Sequence, residues 1–196
     1  SPPWRVDMRQ RVIAAIRHKG GAPAPWNIDI TSQFADKLRA ETGCGDCEKA
    51  LRNHMLRITY KKNRIDANGD EVDLFGVKWM RGDDGGDVGV VSEYPLQHMT
   101  VDDYVFPEID SGLALSVCRA LEAETERFTM FSITMGFFER AWSLMGMEDA
   151  LVGMAMEDED LGKVLEGILE HHLKLLDMVL PHKFDALFFG DDCGQQ

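Results

Sequence analysis

The chain lacks any run of about 18 apolar residues, so no segment is long enough to cross a bilayer as a helix. It lacks the pattern of a signal peptide, since it opens Ser1-Pro2-Pro3-Trp4 and turns charged at once. It also lacks a basic stripe. Lys and Arg number 21 against 34 Asp and Glu, a net charge of −13. Such a field repels a phosphate backbone and excludes nucleic acid as a partner. Cysteine is scarce: four in 196 residues do not make a disulfide framework, and the expected compartment is a reducing cytoplasm.

What is present suits one domain, residues 1–196, with a sizeable core: 44% of residues are apolar and 28% charged. Only residues 1–20 lean basic (Arg5, Arg9, Arg11, Arg17, Lys19), so a substrate with many carboxylates would need local arginines to overcome the overall field. The 11 methionines read as adaptable core filler.

Taken in order, Asp7 to Lys19 is a helix capped by Asp7 and stopped by Gly20-Gly21. Trp26 to Ile30 reads as a short strand, and Thr31 or Ser32 caps a helix to about Glu41, closed by Gly43. Cys47 to about Leu56 is helix-like. Arg57 to Arg64 and Val72 to Trp79 read as the arms of a hairpin turning at Asn68-Gly69. Val88 to Gln97 stays extended, and Asp110 caps a helix to about Glu126. Arg127 to Met135 is a near-continuous apolar run, as expected of a strand covered on both faces. Phe137 opens another helix, Met147 to Met156 adds a helical turn or two, and a long helix runs from Glu157 to about Leu180.

Three local features are read conservatively. Cys44-Gly45-Asp46-Cys47 has no second pair at zinc spacing, which makes structural cysteines the expectation. The acidic loop Gly82 to Asp87 lacks calcium-loop spacing and reads as a solvated loop. His171 and His172 are adjacent, so on a straight helix they point about 100° apart; one is expected at the surface and one in a groove.

The end of the chain is the most suggestive stretch. A short apolar strand, Ala186 to Phe189, runs into Gly190-Asp191-Asp192-Cys193-Gly194-Gln195. Strands of α/β barrels and open α/β sheets carry their chemistry at such carboxyl edges. The alternation of strands and helices predicts a parallel α/β fold with an antiparallel excursion. Because an eight-fold barrel needs about 250 residues, the chain is expected to cover the first half of a (β/α)8 TIM barrel.

Several stretches carry a resemblance. They are the opening helix Arg9 to His18 with its proline-flanked strand, Asp73 to Trp79, Tyr94-Pro-Leu with Asp102-Asp-Tyr and Phe106-Pro, the block Met135 to Leu151, and Phe184 to Gln195 with Gly-Asp-Asp-x-Gly-x-Gln. In order and spacing the chain resembles the N-terminal half of the uroporphyrinogen decarboxylase superfamily, which also contains cobalamin-dependent methyltransferases. The resemblance implies a single (β/α)8 barrel with a deep cleft at the carboxyl ends of its strands. True decarboxylases of the family carry an arginine-rich segment after the first strand. Here that place reads Asn27-Ile-Asp29-Ile-Thr-Ser-Gln33, with no arginine before Arg39. The aspartate that those enzymes aim at pyrrole nitrogens is matched by Arg52-Asn53-His54-Met55, which offers His54.

These departures favour the methyltransferase branch. The resemblance then implies methyl transfer between a methylcobamide and a thiol or related acceptor. The corrinoid serves as substrate or as part of a corrinoid-protein partner, and zinc is expected only through ligands beyond residue 196. Asp191, Asp192 and His54 are the expected catalytic residues. Asn27, Asp29, Gln195, Phe137 and Phe138 are the expected binding residues. The partners expected are small molecules or a corrinoid protein, with a homodimer possible and no membrane. Decarboxylation of uroporphyrinogen stays as an alternative. A non-catalytic half-barrel that binds a partner chain is the third.

Overall fold

The computed structural model describes residues 7–19, 23–81 and 89–192. Two sheets organise the described residues. The first is parallel, three-stranded, and ordered β1 (Met55–Thr59), β6 (Phe128–Ile133), β7 (Ala186–Phe189). The second is antiparallel, in the order β2 (Arg64–Ile65), β3 (Glu71–Val72), β4 (Lys78–Arg81), β5 (Gly89–Glu93).

Helix α1 (Met8–Ile16) starts where Asp7 accepts the Gln10 N–H, and α2 (Ser32–Thr42) starts at Thr31 and ends on Gly43 at φ 69°. The one-turn α3 (Cys47–Ala50) is capped by Asp46. It is shorter than the sequence suggests, because Arg52 takes a positive φ of 54° and turns the chain into β1. Asp110 caps α4 (Ser111–Ala123). Helices α5 (Phe138–Met145), α6 (Met147–Met156) and α7 (Glu159–Val179) follow. Helix α7 begins two residues later than expected, since Glu157 at φ 53° closes α6 and Asp158 caps α7.

Three strand expectations are corrected. Trp26–Ile30 joins no sheet. Its backbone groups are met by the brace at 53–54: Asn53 accepts from Ile28 N–H and donates to its carbonyl, while His54 Nδ1 accepts from Trp26 N–H. Of the expected arm Arg57 to Arg64, residues 57–59 belong to the parallel sheet, whose strand β1 also takes in residues 55–56, expected as the end of a helix. The hairpin is real but small, β2 against β3, with Asp66 accepting the N–H groups of Asn68 and Asp70 and Gly69 at φ 89°. The Val72–Trp79 arm is interrupted because the Asp73 carboxylate accepts from Phe75 and Val77 N–H and folds the chain into a turn.

Strand β6 lies in the middle of its sheet and is buried nearly throughout, as its apolar run requires. One core cluster packs α4 and α7 against this sheet around Val117, Leu121, Phe131, Leu175 and Val179. A second gathers Phe75, Val77, Leu144, Val164 and Ile168 among the antiparallel region, α5 and α7. Helix α7 serves both, so its buried stripe is broad enough to hide His171 and His172 together, at 4% and 5% exposure. That corrects the expectation of one surface histidine.

At the amino ends of the strands, Arg9 of α1 forks onto Asp185, whose carboxylate also accepts from Thr129 N–H. No helix among the described residues is long and apolar enough to cross a membrane.

Candidate functional site

A cleft of about 780 Å³ opens at the carboxyl edge of the parallel sheet, under the antiparallel one. Arg57 and Tyr60 line it from β1 and its end, and Ile133 to Met135 from the end of β6. Asp73, Phe75 and Trp79 come from the antiparallel region, Glu139 and Arg140 from α5, and His171, His172 and Leu175 from α7. The end of β6 is tightly built. Met135 sits in the left-handed region at φ 57°, a conformation that costs a non-glycine residue about 1 kcal/mol or more. At Gly136 a Cβ would fall 2.6 Å from the Phe189 ring and 3.0 Å from Asp191, so only glycine lets β7 approach.

Arg140 is the buried charge of the cleft. Its Nη1 donates to Asp73 Oδ2 at 2.6 Å and to Ser143 Oγ at 3.4 Å, its Nη2 meets, among the described residues, the Met135 thioether at 3.6 Å, and its Cζ lies 4.1 Å from the Phe75 ring centroid. Nε has no partner among the described residues. A buried guanidinium with donors left over is suited to an acceptor or anionic group on a ligand.

The two histidines complete the wall. His171 Nδ1 lies 3.0 Å from the Pro107 carbonyl and His172 Nε2 lies 3.5 Å from that of Gly136. A carbonyl only accepts, so these nitrogens carry the protons. His171 Nε2 and His172 Nδ1 are therefore the acceptors. Burial lowers both pKa values, that of His172 to about 4, so both rings are neutral near pH 7. Burial, followed by repulsion from Asp191 and Asp192, raises the carboxyl of Glu139 above its ordinary value. The cleft thus combines a buried cation with spare donors, neutral proton acceptors and a carboxyl whose pKa burial raises.

The structure places the expected site residues in separate groups. Asp191 caps α5: its carboxylate accepts from Phe137, Phe138 and Glu139 N–H at 2.6, 2.9 and 2.8 Å. Asp191 is thus joined to Phe137 and Phe138, but directly behind the cleft wall. Phe137 packs on His172 and Phe189 with ring centroids 5.8 and 5.9 Å away. Asp192 is exposed beside it. Asn27 donates to Asp29, and Asp29 pairs with Arg57 at 2.7 Å, which reaches the cleft and covers the Phe188 ring. His54 precedes β1 at the opposite, amino end of the sheet, buried and hydrogen-bonded to Trp26. Gln195 and the 82–87 loop lie outside the described residues.

Sequence reasoning missed Arg140, Asp73 and Glu139. The available signal was a charged pair, Glu139-Arg140, set between apolar residues in the opening of α5, Phe-Phe-Glu-Arg-Ala-Trp. Among the described residues no three His, Cys, Asp or Glu side chains group so as to hold a metal ion. The cleft, with imidazoles and no thiolate, does not fit a zinc set of His and Cys. No family model, curated protein or solved structure matches the chain.

Proposed function

We propose that this cleft is the substrate site of a uroporphyrinogen decarboxylase-like enzyme of the methyltransferase kind. In this reading the parallel strands belong to the first half of a (β/α)8 barrel, as their consecutive neighbours β1, β6 and β7 suggest. The reaction moves a methyl group between a methylcobamide and a thiol or related acceptor. The observation that carries the reading is the placement of buried Arg140 beside two neutral imidazoles, at the strand edge where α/β proteins put their chemistry. Arg140 anchors an anionic group of the acceptor molecule. His171 Nε2 accepts the proton that a thiol must lose before its sulfur takes the methyl. Glu139 supplies or takes up a proton at the rim.

The complete protein is mixed with methylcobalamin and a panel of thiols while the cobalamin spectrum is followed. Demethylation with at least one anionic thiol is expected, and an unchanged spectrum across the panel would sink the reading.

One observation favours decarboxylation as a second reading. Arg57, Lys61 and Lys62 join Arg140 on the cleft wall, and these are the local cations that a carboxylate-rich substrate needs in an acidic protein. Release of carbon dioxide from uroporphyrinogen, unaffected by chelators, separates it from methyl transfer.

A further inference from the structure

The cleft leaves unused the cysteine pair at the other end of the sheet. Cys44 and Cys47 flank Gly45-Asp46 in the link from α2 to α3, and their sulfurs stand 3.4 Å apart as free thiols. A disulfide needs about 2.05 Å, so rotation of the side chains with a small backbone adjustment can close the gap. Gly45 has no heavy atom within 4 Å of where a Cβ would stand, so this link has room to adjust.

The two thiols differ in the way an attacking and a resolving thiol must. Cys44 is half-exposed, while Cys47 is 6% exposed with its sulfur on the Ala35 carbonyl. Hydrogen bonding from Thr42, then from Cys47, holds the Cys44 thiol below its ordinary value, and burial, then Cys44, pushes Cys47 above it. The more exposed sulfur is thus also the readier thiolate. Cys118 provides an internal contrast, fully buried on α4 in the core.

We propose that Cys44 and Cys47 form a thiol–disulfide exchange site for a small-molecule disulfide of the glutathione class, with Cys44 attacking and Cys47 resolving. The Cys44 thiolate forms a bond to one sulfur of the small disulfide, whose S–S bond breaks and releases one thiolate. Cys47 then gives its proton to that thiolate and attacks the Cys44 sulfur, expelling the second small thiolate. The protein dithiol loses two electrons and the small disulfide gains them, so no other oxidant is needed.

This site is independent of the chemistry proposed for the cleft. It stands at the amino end of the sheet, where Glu48 of α3 pairs with Arg127 just before β6.

The test treats the folded full chain with oxidised glutathione, blocks remaining thiols by alkylation, and maps the products by peptide mass spectrometry. The wild type is expected to carry a Cys44–Cys47 bridge, lighter by two hydrogens, with Cys118 unreacted. Cys44→Ser, a change at the more exposed position, is expected to lose the bridge and to leave Cys47 without glutathione. Cys47→Ala is expected to stop at one glutathione on Cys44. Two free, alkylated thiols at 44 and 47 in the treated wild type would overturn the proposal. So would glutathione on Cys47 in the Cys44→Ser protein, because the order of attack would then be wrong.

Discussion

Arg140 and Asp73 meet at 2.6 Å with side chains only 8% and 9% exposed, although 67 residues separate them in the chain. Asp73 uses one oxygen to shape its own turn and the other to hold Arg140 and the Trp79 ring N–H. The pair therefore ties the antiparallel region to α5 across the cleft.

Removing one partner of such a pair strands the other charge away from water. Asp73→Ala is expected to cost about 3–5 kcal/mol, read as a lowered urea midpoint with an unchanged slope. Asp73→Asn combined with Arg140→Gln should recover part of that loss, because neither charge is then left alone. A loss under about 1 kcal/mol in Asp73→Ala would show that the pair does not hold the two elements together.

Asp191 acts on α5 from a distant strand as a cap does from within its own helix. Asp191→Ala is expected to lose about 1–2 kcal/mol, with Asp191→Asn between it and the wild type. Exchange of the Phe137, Phe138 and Glu139 amides, followed by NMR, should quicken in the alanine variant. Unchanged exchange at those three amides would refute the capping role.

The neutral imidazole of His172 gives stability a definite dependence on pH. Its pKa is about 4 in the fold against 6.5 ordinarily, set by burial first and then by the neighbouring His171 and Arg140, with Gly136 and Asp191 acting the other way. Between those values the unfolded chain binds a proton that the folded chain refuses. The contribution of roughly 3 kcal/mol is thus whole above about pH 6.5 and is lost as pH falls toward 4. His172→Gln should flatten the stability curve in that window, measured by urea unfolding at stepped pH. Parallel curves for the two proteins would contradict the assignment.

Gly167 of α7 lies under the Phe106 ring, where a Cβ would come within 2.2 Å. Gly167→Ala is expected to destabilise by about 1–3 kcal/mol, despite the better helix propensity of alanine. Adding Phe106→Leu should restore part of it, as thermal melting would show. A Gly167→Ala protein as stable as the wild type would mean that the ring moves aside freely.

Much of the fold could be read in the sequence because its signals are local. Asp7, Thr31 and Asp110 begin helices as capping chemistry requires, and the apolar run Phe128–Ile133 is the central strand. Period-two alternation, in contrast, does not say which partner a strand takes. Arg57 to Arg64 reads as a hairpin arm, but the partner of residues 57–59 is β6, some seventy residues later. The 26–30 segment alternates like a strand, yet its hydrogen bonds go to the Asn53–His54 brace. The histidine pair was misjudged because helix geometry gives only the angle between side chains, whereas α7 is packed on two sides. The arginine in the opening of α5 is visible in the sequence, but its pairing with Asp73 is not, since a long-range ion pair has no spacing rule.

The fork of Arg9 on Asp185 joins residues 176 positions apart. Closing so long a loop is costly in chain entropy. The clasp should therefore form only after the strands have assembled, and α1 should be the segment that peels away first under mild denaturant. Thr129 and the amino margin of the sheet would then meet water while the cleft at the far edge keeps its walls.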